Sequence, residues 1–251
     1  MGIVFLLLTV VLPARAEHEK KVQQHWPGKI SAAILAVQQD IVQADAVGGF
    51  YDKAYQHAEP FYWWNLPGWM QEDASRHRVS RILDIGCGYG TLLSVAATIY
   101  SAQGQCLDVT EYLLPAVRGK RDLEFTKGNV ELDSLPAGPF DVIIMTEVLE
   151  HFNFQPVPTL IKIRQALAPD GLFFLSTPDA KQWGKTQKYY RRLEDIPMPA
   201  RGKEIIDDHI WQYSEDELRR VLKAAGFSVV RWDYAPGGGN RHFNVVVKGA
   251  F

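Results

Sequence analysis

From residue 79 onward, short apolar runs alternate with amphipathic ones. Arg81–Ile85, Gln105–Val109, Leu123–Lys127, Phe140–Thr146 and Leu172–Ser176 read as strands. Between them, Thr91–Tyr100, Tyr112–Arg118 and Val157–Leu167 show helical spacing. Ser214 caps a further helix, Glu215–Ala225. Phe227–Tyr234 and His242–Val247 then pair as a hairpin around Gly237-Gly238-Gly239. Apolar strands alternating with helices predict an α/β fold: a doubly wound, seven-stranded sheet, mostly parallel, with one antiparallel strand from the hairpin. Ligands of such sheets sit beyond the carboxyl ends of the strands, where the winding reverses.

The first 78 residues follow a different pattern. Ile30, Ala33, Ile34, Val37, Ile41 and Val42 recur at helical spacing, and Gly48-Gly49 ends that helix. Residues 50–73 are dense in aromatics, among them Phe50, Tyr51, Tyr55, Phe61, Tyr62, Trp63, Trp64 and Trp69. Residues 17–78 are therefore expected to form an N-terminal helical cap, packed on the sheet or closing over a ligand. Residues 1–16 are signal-like: an apolar run from Ile3 to Leu12, about half of the ~20 residues a span needs, precedes Pro13-Ala14-Arg15-Ala16. A cleaved signal, an interfacial anchor and a mis-assigned start all fit that segment.

Composition narrows the class. The chain has 251 residues, 47% of them hydrophobic, enough for one α/β domain with an extension. A net charge of −2 gives no global field for nucleic acid. Cys87 and Cys106 lie in glycine-rich or apolar strand ends, which does not predict a disulfide framework.

The sharpest local signal is Asp84-Ile85-Gly86-Cys87-Gly88-Tyr89-Gly90, between the first strand and the first helix. Glycines there let the backbone turn sharply and approach a ligand. The dinucleotide fingerprint requires Gly at 91, where this chain has Thr91. Asp84 suits a ligand with an amino group and a sulfonium, and would oppose a pyrophosphate. Asp108, at the end of the second strand, can accept two ribose hydroxyls. An NAD-dependent oxidoreductase is thereby disfavoured.

These residues resemble the class I S-adenosylmethionine-dependent methyltransferases, over residues 79–248. Ile82–Gly90 is similar to their first motif, Asp108 to their ribose acid, and Gly128-Asn129-Val130 to the segment edging adenine, where many members carry Asp for Asn129. Phe140–Ile144 resembles their fourth strand, and Leu167-Ala168-Pro169-Asp170-Gly171 the turn before the fifth. The resemblance implies a Rossmann-like methyltransferase domain over residues 79–251, with an insertion at 181–208. It implies S-adenosylmethionine as cofactor, held by Asp84, Ile85, Gly86, Cys87, Gly88, Tyr89, Gly90, Asp108, Val109, Asn129, Val130, Thr146 and Glu147.

After the fourth strand comes Thr146-Glu147-Val148-Leu149-Glu150-His151. In helical conformation Glu147, Glu150 and His151 share one face, and His209 lies within reach of the neighbouring strand end. The set is similar to the metal-binding residues of small-RNA 2′-O-methyltransferases, and a related pattern occurs in ubiquinone-pathway O-methyltransferases. A divalent metal such as Mg2+ on Glu147, Glu150, His151 and His209 is therefore one expectation. Without metal, His151 or His209 is the expected catalytic base. The insertion carries seven Lys/Arg between 181 and 203 (181, 185, 188, 191, 192, 201, 203) against acids at 194 and 195, a net +5, with Trp183, Tyr189 and Tyr190 interleaved. It is the expected recognition element for an anionic or aromatic acceptor, or for an anionic membrane surface.

The reading is thus O-methylation of a small-molecule or quinone/lipid-like acceptor. An RNA or other nucleic-acid methyltransferase and a non-catalytic cofactor-binding protein are the alternatives. The expected location is cytoplasmic or peripheral at the cytoplasmic membrane face, or exported if residues 1–16 are a true signal.

Overall fold

The computed structural model describes residues 16–26, 28–45, 49–184, 188–236 and 240–250. The apolar run at 3–12, Gly48, Lys185 and Gly237-Gly238-Gly239 lie outside these. Seven strands form one sheet in the order β3-β2-β1-β4-β5-β7-β6. They are β1 Arg81–Ile85, β2 Gln103–Asp108, β3 Leu123–Lys127, β4 Phe140–Thr146, β5 Leu167–Pro178, β6 Phe227–Ala235 and β7 His242–Gly249. The first five are mutually parallel, and β7 runs antiparallel to both β5 and β6. The order reverses at β1/β4, so the carboxyl ends of β1, β2 and β4 open onto one crevice.

Each face of the sheet carries its own apolar layer, as a doubly wound sheet requires. On one face Ile82, Val142, Ile144 and Phe174 pack with Leu92, Leu93, Ile34, Val37 and Ile41. These helical residues belong to α5 (Thr91–Tyr100) and α2 (Lys29–Ala44). Helix α1 (residues 16–25) joins this layer through Val22, and Trp26 just beyond it. The helices α3 (Glu59–Tyr62) and α4 (Leu66–Ala74) complete the N-terminal cap. On the other face Leu83, Ile143, Phe173 and Val245 pack with Leu160 and Ile163 of α7 (Pro156–Ala166) and Leu218 and Leu222 of α9 (Glu215–Ala224). Ser214 caps α9, as the sequence predicts, and the structure adds a reciprocal box with Glu217.

Several boundaries shift for local reasons. The helix expected from Tyr112 is α6, Pro115–Arg121, because Leu114 is extended and Pro115 takes the first helical position. Strand β5 begins at Leu167, five residues early, because the 167–171 turn bulges and pairs with Phe140.

The structure corrects the reading of the cysteines: Cys87 and Cys106 form a disulfide, with Cα atoms 5.7 Å apart. Cys106 stands beside Asp84 in the β1–β2 register, and the glycine loop folds Cys87 back over it. That proximity arises from parallel pairing, which neither residue's local sequence reveals. Closing a 19-residue separation is expected to stabilise the chain by about 3 kcal/mol. Denaturant titration with and without a thiol reductant checks this; an unchanged midpoint would count against the cross-link.

The cap is tied to the sheet by buried polar groups. Glu59 accepts hydrogen bonds from Tyr51 Oη and from Gln38 Nε2 (3.0 Å), and the Tyr51 and Thr91 hydroxyls lie 3.0 Å apart. Burial pushes the Glu59 carboxyl up to about 7, against the lowering effect of these hydrogen bonds. The folded chain therefore keeps a proton that the unfolded chain releases near 4.5, so the stability contribution is present at low pH and lost as pH rises toward 7. Glu131 is raised into the same window, also by burial. Glu59→Gln removes the first of these effects. Between pH 5 and 8 its unfolding free energy is expected to gain on wild type by on the order of 2–3 kcal/mol. Parallel pH curves for the two proteins would refute the assignment.

Candidate active site

The crevice at the β1/β4 reversal holds a cavity of about 410 Å3, within the usual range for small-ligand sites. Its floor is the glycine loop. Gly86 sits at φ +71°, and a Cβ there would collide with Val148. Gly88 has φ +53° and donates its N–H to Asp108 Oδ2 at 3.1 Å. Asp108 Oδ1 accepts from Thr110 N at 3.0 Å. Burial pushes the Asp108 carboxyl up, and these backbone donors pull it back. Asp84 is buried, raised well above the ordinary range by burial and then by Asp108, and its Oδ1 has no hydrogen-bond partner.

Of the site residues expected from sequence, Ile85, Gly86, Gly88, Tyr89, Asp108, Val109, Val130, Glu147 and His151 border the cavity. Asp84, Cys87, Gly90, Asn129, Thr146, Glu150 and His209 do not. Cys87 is held in the disulfide, and Gly90 packs on Leu113. The Asn129 Oδ1 accepts from Glu131 N at 2.8 Å, so this side chain closes its own turn. Its neighbours Gly128 and Val130 face the cavity instead. Sequence reasoning missed Leu107, Tyr112, Val148 and Asp207 on the wall. Phe50 and Tyr55, from the aromatic-rich cap expected to pack on the sheet or close over a ligand, also reach it.

The carboxylate–imidazole set differs from its expected arrangement. The segment after β4 is no α-helix: Glu147 is left-handed at φ +56°, and only Leu149–His151 form a 3-10 turn. The one-face spacing of Glu147, Glu150 and His151 is therefore lost. Glu147 turns instead toward β5 and β7, where it accepts from Ser176 Oγ and lies 2.8 Å from His242 Nδ1. Glu150, His151 and His209 do converge, with donor atoms within 4.8 Å of one another. The rings of His151 and His209 meet edge-on at 4.6 Å. Glu150 accepts from Thr177 Oγ1 at 2.8 Å through one oxygen, while the other is buried without a partner. Burial, then the Glu147 charge, push Glu150 well up; burial, then His209, hold the His151 imidazole below its ordinary range.

Among the described residues, three of the insertion's seven basic side chains are paired. Lys188 meets Asp208 at 2.8 Å, Arg192 meets Asp195 at 2.7 Å, and Arg201 meets Asp133 at 2.9 Å. Trp183 ends the short helix α8 (Ala180–Trp183), capped by Asp179, and is 39% exposed.

Residues 68–231, more than half of the chain, match a family described as methyltransferase domain. The chain belongs to that methyltransferase family. Its similar relatives include the mitochondrial ubiquinone biosynthesis O-methyltransferase of Schizosaccharomyces pombe, 37% identical over 39% of this chain and 37% of that one. Demethylspheroidene O-methyltransferase of Rhodobacter capsulatus is 35% identical over 60% of this chain and 37% of its own. The chain thus spans well under two thirds of the length of these curated relatives. Among solved structures, an S-adenosylmethionine-dependent methyltransferase from Clostridium acetobutylicum aligns with TM-score 0.58 at 12% identity, covering 80% of this chain and 97% of that one. A 1,6-didemethyltoxoflavin-N1-methyltransferase from Burkholderia thailandensis, solved with S-adenosylhomocysteine, aligns with TM-score 0.56 at 18% identity, covering 84% and 88%. Both share the methyltransferase fold. Among the described residues no helix is long and apolar enough to cross a membrane.

Proposed function

We propose that this protein transfers the methyl group of S-adenosylmethionine to a hydroxyl of a small-molecule acceptor. The observation that carries the reading is the bare glycine floor beside the Asp108 carboxylate at the edge of a nucleoside-sized cavity. In this reading Asp108 receives the ribose hydroxyls. Val109 and Val130 flank the adenine, and the Gly86 and Gly88 backbone lies under the amino-acid portion. The buried, unpartnered Oδ1 of Asp84 fits a donor that brings positive charge and amino protons nearby. When bound, the cofactor supplies an electrophilic methyl group on a sulfonium; the protein's own contribution is alignment and removal of a proton.

The hydroxyl acceptor follows the similar relatives, whose names give O-methylation of a ubiquinone precursor and of demethylspheroidene. Pairing of Lys188, Arg192 and Arg201 with acids weakens the case for a phosphate-tracking surface, and so favours a small molecule over nucleic acid. Calorimetry with S-adenosylhomocysteine, and release of labelled methyl to a panel of hydroxylated rings, test the reading. Binding without transfer to any acceptor would leave a non-catalytic cofactor-binding protein.

A second reading is favoured by the unpartnered Glu150 oxygen. Glu150, His151 and His209 would hold a divalent cation, which would lower the pKa of an acceptor hydroxyl. Glu147, committed to Ser176 and His242, does not belong to this set. Elemental analysis of the purified protein is expected to find about one metal ion per chain, lost in Glu150→Gln. Metal-free protein with full activity in chelator would eliminate it.

A further inference from the structure

We infer that His242, backed by Glu147 and covered by Trp183, is the base that takes the acceptor's proton. This rests on the methyl-transfer reading above. His242 opens β7, opposite Pro178 at the carboxyl end of β5. Its side chain is 1% exposed, and Nδ1 lies 2.8 Å from Glu147 Oε2. The other Glu147 oxygen is in hydrogen-bond contact with Ser176 Oγ. That hydroxyl has a single proton and a second acceptor nearby, the Tyr62 carbonyl at 2.8 Å. Asn244 Nδ2 also donates to the Tyr62 carbonyl at 2.7 Å, and the charged Glu147 carboxylate is the stronger acceptor for the Ser176 proton. A carboxylate at Nδ1 favours the tautomer protonated there and leaves the Nε2 lone pair free.

Both ring nitrogens of His242 are fully enclosed without an aligned hydrogen bond: Nδ1 has the Glu147 carboxylate 2.8 Å away, and Nε2 has no hydrogen-bond partner. In a buried polar layer this is the signature of a place for a ligand's polar group. Glu147 borders the cavity, and His242 lies directly behind it, outside the cavity wall. Two rings enclose it: Tyr62 at 4.9 Å and Trp183, edge-on, at 5.5 Å. Trp183 is 39% exposed, so the cover over His242 lies at the surface and not in the core. The α8 backbone stays fixed, since Asp179 accepts from Lys181 N and pairs with Arg241. The charged and titratable groups around the imidazole are Glu147 after β4, Tyr62 of α3, and Arg241 beside β7, whose guanidinium is turned onto Asp179. His151, by contrast, has its basicity lowered by burial and shares its place with His209.

In the step, the acceptor O–H proton passes to His242 Nε2 while the oxygen's electron pair forms the new C–O bond. The C–S bond to the methyl group breaks, and its pair returns to sulfur. The imidazolium is balanced by Glu147 and later releases the proton to water. An aromatic acceptor would displace the Trp183 ring and stack on it.

The test compares full-length wild type with His242→Gln, using catechol as probe acceptor and S-adenosylhomocysteine as donor-site probe. His242→Gln is expected to bind S-adenosylhomocysteine within about two-fold of wild type and to lose about a hundred-fold or more in methyl transfer at neutral pH. The loss should shrink at alkaline pH, where catechol ionises unaided; a merely structural role would not produce that recovery. Nitrogen-15 spectra of wild type should show His242 protonated at Nδ1 and bare at Nε2, with the Nε2 signal moving when catechol is added. Transfer within three-fold of wild type, a pH-independent loss, or a protonated Nε2 overturns the assignment. If wild type does not methylate catechol, an Nε2 signal that ignores catechol also overturns it, and one that moves supports it. Failure of wild type to bind S-adenosylhomocysteine would instead bring down the donor reading itself.

Discussion

Asp108→Ala is expected to abolish measurable S-adenosylhomocysteine binding while the chain remains folded. Asp108 stands at the end of β2 with both oxygens facing backbone donors, Gly88 N at 3.1 Å and Thr110 N at 3.0 Å. Each oxygen keeps a further lone pair for a ribose hydroxyl. Hydrogen bonds to a charged acceptor contribute about 1.5–3 kcal/mol each, so losing two weakens binding by at least about a hundred-fold. The substitution also frees the Gly88 amide and loosens the loop under the ligand. Asp108→Asn, which keeps one carbonyl acceptor, should fall between wild type and Ala. Calorimetry gives the affinities and thermal unfolding reports the fold. Unchanged affinity in the alanine variant would remove the ribose assignment and with it the orientation of the donor.

Gly86→Ala is the second large effect, and here stability suffers with binding. The left-handed φ of +71° costs an L-residue about 1–2 kcal/mol, and the new Cβ meets the Val148 side chain within van der Waals contact. Overpacking of this kind adds about 1–3 kcal/mol. The expected total destabilisation is about 2–5 kcal/mol, with loss of cofactor binding because the loop must shift. Val148→Ala in the same chain should restore the packing part and leave the backbone part. Denaturant unfolding of wild type, both single variants and the double variant measures that coupling. A double variant no more stable than Gly86→Ala would show that Val148 is not the obstacle.

How far the fold could be read ahead depends on the range of the signal. The limits of β1, β3 and β4 and of α5 match the expected ones, because apolar runs bounded by glycine or polar turns are local signals. The start of α6 is later than the spacing predicts because Tyr112, Leu113 and Leu114 stay outside the helix and Pro115 opens it. At the site, Gly86, Gly88 and Asp108 were legible, since a turn between strand and helix demands bare backbone and a strand-end acid is conspicuous. Asn129 was not: whether its amide faces a ligand or its own turn depends on the placement of Glu131 and Asp133.

The largest differences share one cause. Treating Glu147-Val148-Leu149-Glu150-His151 as helical put three ligands on one face, whereas the left-handed Glu147 breaks that face. The β4–β5 register sets Ser176 beside Glu147, and only the pairing of β5 with β7 brings His242 there, 66 residues further along the chain than Ser176. Likewise only the β1–β2 register brings Cys106 under Cys87.

Periodicity and glycine placement alone therefore suffice for a doubly wound sheet with a ligand loop at its reversal, because strand burial and tight turns are written in neighbouring residues. The pairing of cysteines, the partner of Glu147 and the walls of the cavity follow from strand register and from where the cap lands. Those contacts join residues far apart in the chain, and their energies depend on burial and distance that exist only once the sheet has assembled.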